Sequence, residues 1–184
     1  MIPCEETRSW HASWISAGFC HLNWQSPALP APYFRKEFNC SAQGEAVLYL
    51  CGLGYYELYL NGKKVGDRVL DPVVTQYDRR ARYVASDLTG LLKKGKNVIG
   101  VILGDGWYNP STADCWHFDK VSWADYPKLI CALEIDGKTG LASDDSWKCL
   151  RREGPITFNA LRNGEFYDAR KALPNWSSTG FDDS

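Results

Sequence analysis

From Tyr33 onward, short apolar runs alternate with turn residues, and this pattern predicts an all-β domain. Alternation of apolar and polar positions over residues 55–60 and 128–135 indicates strands that bury one face. The denser apolar run at 97–103 is typical of a strand buried on both faces. Asn61-Gly62 and Asp136-Gly137 each follow such a run and favour tight turns. The predicted strands cover residues 45–51, 55–60, 63–65, 82–85, 97–103, 128–135, 146–150 and 155–161.

No segment has the length and periodicity of an amphipathic helix, so many short strands with turns between them predict an antiparallel β-sandwich. Residues 1–32 differ from the rest, because they are rich in Trp, Ser and Pro and show no period. Pro27, Pro30 and Pro32 oppose regular helix in this segment. We therefore expect an irregular N-terminal arm over 1–32 that lies on a sandwich domain over 33–184.

Composition is that of an ordinary globular domain, with 184 residues, 45% hydrophobic and 23% charged. The formal net charge of -1 disfavours a nucleic-acid partner, because nucleic-acid binders carry excess positive charge. The most apolar stretch, residues 46–60, is too short for a membrane span. The N-terminus lacks the apolar segment of a signal peptide, and the compartment stays open.

The sequence lacks the motifs of the common catalytic and metal sites. It has no nucleophile elbow, no zinc-protease helix and no phosphate-binding loop. Seven cysteines include no C-x-x-C pair, and Cys51 and Cys131 fit a core position best. Cys115 and His117 supply two ligands, whereas a closed zinc site needs four.

Glu165 and Asp168 are close enough in sequence to suggest the carboxylate pair of a glycosidase. Arg162 and Arg170 stand nearby, and a guanidinium would hold both acids ionised. Because structural ion pairs are far commoner than catalytic pairs, we favour the structural interpretation.

The loop over residues 104–110 offers sugar-binding chemistry directly after a buried strand. It contains Asp105, Trp107, Tyr108 and Asn109 within five positions. An aromatic face stacks on a pyranose ring, while carboxylate and amide groups bond to hydroxyls or bind a hard cation. An equal alternative is that Trp107 and Tyr108 close the end of the sandwich core.

A second polar segment, residues 66–80, could converge on this loop, because loops at one end of a sandwich meet in space. Its Tyr77 is expected among the sugar-contacting residues, and Asp67 and Asp71 could supply oxygen ligands to calcium. The alternative is a polar loop in which Asp78 pairs with Arg79 or Arg80.

An ordered series of motifs resembles the N-terminal domain of bacterial α-L-rhamnosidases of glycoside hydrolase family 78. The resemblance covers residues 33–183, and the order and spacing of the full series make it specific. The motifs are Tyr55-Tyr56-Glu57-Leu58-Tyr59-Leu60-Asn61-Gly62-Lys63-Lys64-Val65-Gly66-Asp67, Leu70-Asp71-Pro72, Thr75-Gln76-Tyr77, Asp87-Leu88-Thr89, Gly95-Lys96-Asn97-Val98-Ile99-Gly100-Val101, Leu103-Gly104-Asp105-Gly106-Trp107-Tyr108 and Gly164-Glu165-Phe166-Tyr167-Asp168-Ala169-Arg170.

The resemblance implies a jelly-roll β-sandwich of the galactose-binding, lectin-like type, placed ahead of an (α/α)6 barrel. In that family the barrel carries the general acid and general base and inverts the anomeric centre. This chain ends before any such barrel, so we expect no hydrolysis from it alone and a catalytic domain as its partner.

Some related domains are calcium-dependent rhamnose-binding modules, which implies L-rhamnose or rhamnosides as ligands. The matching positions here are Asp67 and the loop 107–109. Those modules use an Asp-Asn pair, whereas this chain has Asp67-Arg68, and a guanidinium cannot coordinate a cation. Two functions therefore stand side by side: recognition of rhamnose-containing glycans, or a purely structural domain that packs on the barrel.

Overall fold

A computed structural model describes residues 10–18, 29–41, 44–110 and 121–184 of the chain. This part consists of β-strands joined by turns, with a single 3-10 turn at Ala169–Lys171, which confirms the all-β prediction. No helix in these ranges is long and apolar enough to cross a membrane. The strands are β1 (Ile15–Ser16), β2 (Tyr33–Cys40), β3 (Ala46–Leu53), β4 (Tyr55–Leu60), β5 (Lys63–Lys64), β6 (Val84–Asp87), β7 (Gly95–Gly104), β8 (Lys128–Ile135), β9 (Lys138–Ala142), β10 (Lys148–Leu150), β11 (Ile156–Ala160) and β12 (Gly164–Tyr167).

Two five-stranded antiparallel sheets form a jelly-roll β-sandwich. Sheet A has β8 and β3 at its centre, with β6 on the far edge of β3 and both β1 and β9 paired to β8. Sheet B has the order β10-β2-β7-β4-β5. Strands β11 and β12 form a separate hairpin beside the sandwich. All the strand pairs are antiparallel, as the hairpin signals at Asn61-Gly62 and Asp136-Gly137 predict.

The core lies between the two sheets and is built by alternation along each strand. On β4, Tyr56, Leu58 and Leu60 are buried, whereas the residues between them are half-buried on the outer face. The same period holds on the facing sheet, because successive side chains of a strand point to opposite faces. The fully buried core positions include Leu48, Leu50, Ile99, Val101, Leu103, Leu129, Cys131 and Leu133.

The C-terminal segment covers part of the outer face of sheet B. The Trp176 ring lies between two tyrosines, 4.9 Å from Tyr33 and 5.4 Å from Tyr59 between centroids. Gly100 permits this contact, since a Cβ there would lie 2.7 Å from the Trp176 ring. Arg35 bonds to the Asp183 carboxylate and so holds the end of the segment on the same sheet.

The described part of the N-terminal segment lies on sheet A. Ile15 and Ser16 pair with β8. The Ser13 N–H donates to the Ser143 carbonyl at 2.7 Å, and the Ser143 hydroxyl donates to the Ser13 carbonyl at 2.6 Å. The rest of the arm lies outside the described residues, so the boundary between 1–32 and 33–184 stays a prediction. Cys115 and His117 also lie outside them. Cys51 and Cys131 are buried, which confirms their core assignment.

Candidate functional site

The predicted sugar-binding loop begins where β7 ends and is fixed by hydrogen bonds. The Asp105 N–H donates to Asn159 Oδ1 of β11 at 2.7 Å. The Asn109 backbone N–H donates to the Asp105 carbonyl at 3.0 Å, and Asn109 Nδ2 donates to Asp105 Oδ1 at 2.7 Å. Gly106 has φ 54°, and a Cβ there would lie 3.1 Å from the Gly54 backbone, so both conformation and space favour glycine. The loop is therefore a closed, well-held turn.

The four predicted residues of this loop differ in accessibility. Asp105, Tyr108 and Asn109 are buried, with 5%, 6% and 3% of their surface exposed. Trp107 is partly exposed. The burial of Tyr108 therefore supports the alternative that this residue closes the end of the sandwich core. The buried Asp105–Asn109 pair is placed to hold the loop rather than to meet a ligand directly.

Tyr77 brings the second polar segment against this loop. Its ring meets Tyr108 edge to face at 5.3 Å and Trp123 at 6.3 Å between centroids. Among the described residues, the buried Tyr77 hydroxyl has no hydrogen-bond partner. The expected convergence of the two loops is thus present, as a cluster of aromatic rings at the ends of β7 and β3.

Burial controls the ionisation of this cluster. Burial raises the pKa of Asp105 to about 7, although the hydrogen bond from Asn109 lowers it. Burial also raises the pKa of Tyr77 and of Tyr108. The pKa of Lys128 is raised, first by its 2.6 Å bond to Asp125. At neutral pH the interior of the loop therefore carries at most a partly ionised carboxyl.

Asp67 and Asp71, the predicted calcium ligands, line one cleft of about 310 Å³. Arg68 Nη1 lies 3.6 Å from Asp71 Oδ2, so one carboxylate already has a cationic partner. In the described ranges, no group of three or more His, Cys, Asp or Glu side chains could hold a metal ion. Calcium takes six to eight oxygen ligands, whereas the carboxylates of Asp67 and Asp71 supply at most four, so calcium binding at this cleft stays a prediction.

Asp168, in the turn after β12, is held in a structural ion pair. Arg170 Nε and Nη2 donate to Asp168 Oδ1 and Oδ2 at 2.9 and 2.8 Å. These bonds lower the pKa of Asp168 to about 2. Glu165 is exposed on the neighbouring strand. The ion pair supports the structural interpretation of this segment.

A larger groove, which the sequence prediction did not include, lies on the outer face of sheet B. It has a volume of about 740 Å³ and is bounded by β4, β7, the β11–β12 hairpin and Trp176. Its polar and aromatic lining includes Tyr33, Tyr55, Glu57, Tyr59, Asn159, Glu165, Tyr167 and Trp176. These residues come from four separate parts of the chain, so no local sequence motif identifies the groove.

Comparison with known proteins matches the chain to one domain of alpha-L-rhamnosidases. The model of the family described as Alpha-L-rhamnosidase N-terminal domain matches residues 41–184. An alpha-L-rhamnosidase of Formosa agariphila is 42% identical over 169 residues, which are 87% of this chain and 17% of the relative. One of Streptomyces avermitilis is 32% identical over 190 residues, covering 98% of this chain and 18% of the relative.

Solved structures give the same result. The alpha-L-rhamnosidase of Dictyoglumus thermophilum superimposes with a TM-score of 0.78 at 39% identity, over 95% of this chain and 20% of that one. The Streptomyces avermitilis alpha-L-rhamnosidase complexed with L-rhamnose gives 0.75 at 34% identity, over 85% and 15%. The chain thus spans about a fifth or less of the length of these relatives.

Proposed function

The chain belongs to the alpha-L-rhamnosidase N-terminal domain family, and we propose that it is a non-catalytic accessory domain that helps a bacterial α-L-rhamnosidase recognise rhamnose-containing glycans. The chemical step belongs, in this proposal, to a catalytic domain elsewhere in the full-length enzyme. The relatives support this division, since this chain corresponds to only 17–20% of their length. We expect no hydrolysis of an aryl α-L-rhamnoside by these 184 residues.

The observation that carries the proposal is the fixed loop that bears Trp107. The buried Asp105–Asn109 bond holds the loop, so the partly exposed indole needs little ordering before it meets a ligand. The ring contact between Tyr77 and Tyr108 also holds the loop. In this arrangement the Trp107 ring stacks on the sugar. Asp105, Asn109, Tyr108 and Tyr77 keep the Trp107 loop in place.

A pair of tryptophan variants tests this role. Trp107→Ala should weaken binding of L-rhamnose on the order of tenfold, because the stacking face is lost. Trp14→Ala is the control, since Trp14 is 46% exposed on the N-terminal arm. Isothermal titration calorimetry with L-rhamnose compares them. Equal affinities in the two variants would contradict a binding role for Trp107.

A second candidate function, packing on the catalytic domain, has an observation of its own. Val69, Leu70, Val73 and Val74 expose between 40% and 68% of their surface within six residues. Exposed apolar clusters of this kind mark protein interaction sites. We propose that residues 69–74 contact the catalytic domain.

The packing role has a separate test. Replacing Val73 and Val74 together by Ser, which leaves the groove-lining Val69 and Leu70 unchanged, should weaken association with the separately produced remainder of the full-length enzyme, as measured by sedimentation velocity. Trp14→Ser is the matched control, because it also removes an exposed apolar side chain. If neither change affects association, residues 69–74 are not the contact.

A further inference from the structure

The groove on the outer face of sheet B has the size of a ligand site. Its volume of about 740 Å³ falls in the ~300–1,000 Å³ range of small-molecule pockets. The outer side chains of β4 form the floor, and the β11–β12 hairpin forms one wall. Gly104 stands opposite Tyr55 on the ladder, and Asn159 lies above it, since a Cβ at Gly104 would be 3.3 Å from Asn159 Oδ1.

Aromatic rings line this groove on two sides and are held in place. Trp176 is fixed edge to face by Tyr33 and Tyr59 at 77° and 65°. Tyr167 stands on the hairpin wall with 56% of its surface exposed. The C–H groups of a pyranose pack on the electron-rich faces of such rings, so fixed rings suit a sugar.

Hydroxyl and carboxylate groups converge between these rings. Tyr59 Oη donates to Glu57 Oε2 at 2.8 Å, and both side chains are half-buried. Tyr33, Glu57, Tyr59, Glu165 and Tyr167 all line the groove. The pKa of Tyr33 is raised, first by burial and then by these four neighbours.

An unmatched amide adds to the set of polar groups in the groove. Asn159 lines it, and within the described residues its buried Nδ2 has no hydrogen-bond partner. A ligand hydroxyl would provide the missing acceptor.

The charge of the lining favours a neutral ligand. Of the described residues around the groove, none is Lys, Arg or His, so a phosphate or carboxylate group would find no cation. Lys64 Nζ lies 2.5 Å from Glu57 Oε1 and already balances the carboxylate on the floor. What remains are aromatic faces, hydroxyls, an amide and one exposed carboxylate, which together match a neutral polyol.

We propose that this groove binds an uncharged oligosaccharide of two or three residues at a site separate from the Trp107 loop. The inference goes beyond rhamnose recognition by that loop, because the groove is built by β4, β7, the β11–β12 hairpin and Trp176. Of residues 104–110, Gly104 and Gly106 line it. An extended glycan could therefore contact two surfaces of one domain.

Two neighbouring residues of β12 provide a matched test. Tyr167 lines the groove, whereas Phe166 points to the other face of the hairpin and packs on Phe158 at 5.0 Å. Both are more than half exposed, so either can be replaced without emptying the core. The probe is the disaccharide α-L-rhamnosyl-(1→6)-D-glucose, titrated by calorimetry into Tyr167→Ala, Phe166→Ala and the unchanged chain.

Tyr167→Ala should lower the affinity for the disaccharide on the order of tenfold, because a ring contact and a hydroxyl are lost. Phe166→Ala should leave it unchanged. Equal affinities in both variants, or no binding to the unchanged chain, would overturn the proposal. Trp107→Ala separates the two sites. If this variant lowers the affinity for the disaccharide and Tyr167→Ala does not, the result supports binding at the loop and refutes binding in the groove.

Discussion

Asp105 shows how a residue typical of a binding site becomes part of the interior. Its carboxyl is buried, and Asn109 Nδ2 donates to Oδ1, but Asn109 Oδ1 has no partner among the described residues. A protonated Asp105 would supply the missing donor and complete an acid–amide pair. This agrees with the direction in which burial moves its pKa, which is raised to about 7.

The sign of the pH effect follows from that shift. An Asp with a pKa of 3.8 in the unfolded chain and about 7 in the folded chain binds its proton more tightly when folded. The free energy of unfolding should therefore fall as the pH rises from about 4 to about 7, by roughly 3–4 kcal/mol at most. Asp105→Asn should remove this loss, because its amide mimics the protonated acid.

Urea unfolding of the two proteins at pH 5 and pH 8 measures the difference. The lowered pKa values of Asp168 and Glu57 act at more acidic pH, so they do not interfere in this window. A similar change in midpoint with pH for both proteins would show that Asp105 ionises normally in the fold.

At the scale of elements, one asparagine pair joins the β4–β5 turn to the start of β7. Asn97 is fully buried, and its Oδ1 accepts from Asn61 Nδ2 and from the Lys93 N–H, both at 2.9 Å. Its Nδ2 donates to the carbonyls of Lys93 and Gly95 at 2.7 and 3.0 Å. Asn61 in turn exchanges hydrogen bonds with Val98. Every polar atom of the buried amide is satisfied.

Removing this amide should be costly. Asn97→Ala removes all four hydrogen bonds of this buried amide and leaves their partly buried partners unpaired, so we expect a loss of about 2–4 kcal/mol in the free energy of unfolding. Asn39→Ala on β2 is the control, because Asn39 is exposed. Urea unfolding gives both values. Equal stability of the two variants would mean that the network does not anchor the turn.

Strands with strong local signals were predictable, and weakly patterned ones were not. The bounds of β4 and β8 match the sequence prediction at both ends, because alternation and a turn dipeptide mark them. β9 and β12 were missed: Lys138–Ala142 is mostly exposed and contains Gly140, and Gly164–Tyr167 is exposed throughout. An exposed strand lacks the apolar period on which such prediction depends.

The candidate sites also differ in how far the sequence could predict them. The sequence places Asp105, Tyr108 and Asn109 in one loop, but their burial depends on packing against Tyr77 and Asn159, which are distant in the chain. The groove depends wholly on such distant contacts, since it combines strand β4, a hairpin and the C-terminal segment. The sequence pattern alone identifies the residues of a loop, but not which of their side chains are exposed to solvent.

For the whole molecule, the sandwich is a rigid support with its candidate binding groups on the outside. The core is filled by apolar side chains from both sheets, so the described part holds its ligand surfaces on loops and outer strand faces. The family and the share of the relatives' length agree with the accessory role that we propose.

One measurement tests this account most directly. The isotope-labelled chain is titrated with L-rhamnose while its backbone amide NMR signals are recorded, first with calcium and then with a chelator. The account predicts shifts that saturate and centre on residues 105–109 and Tyr77; if Asp67 and Asp71 hold calcium, the shifts vanish with the chelator. Signals that stay unmoved at saturating rhamnose in both conditions would contradict sugar recognition and leave the packing role.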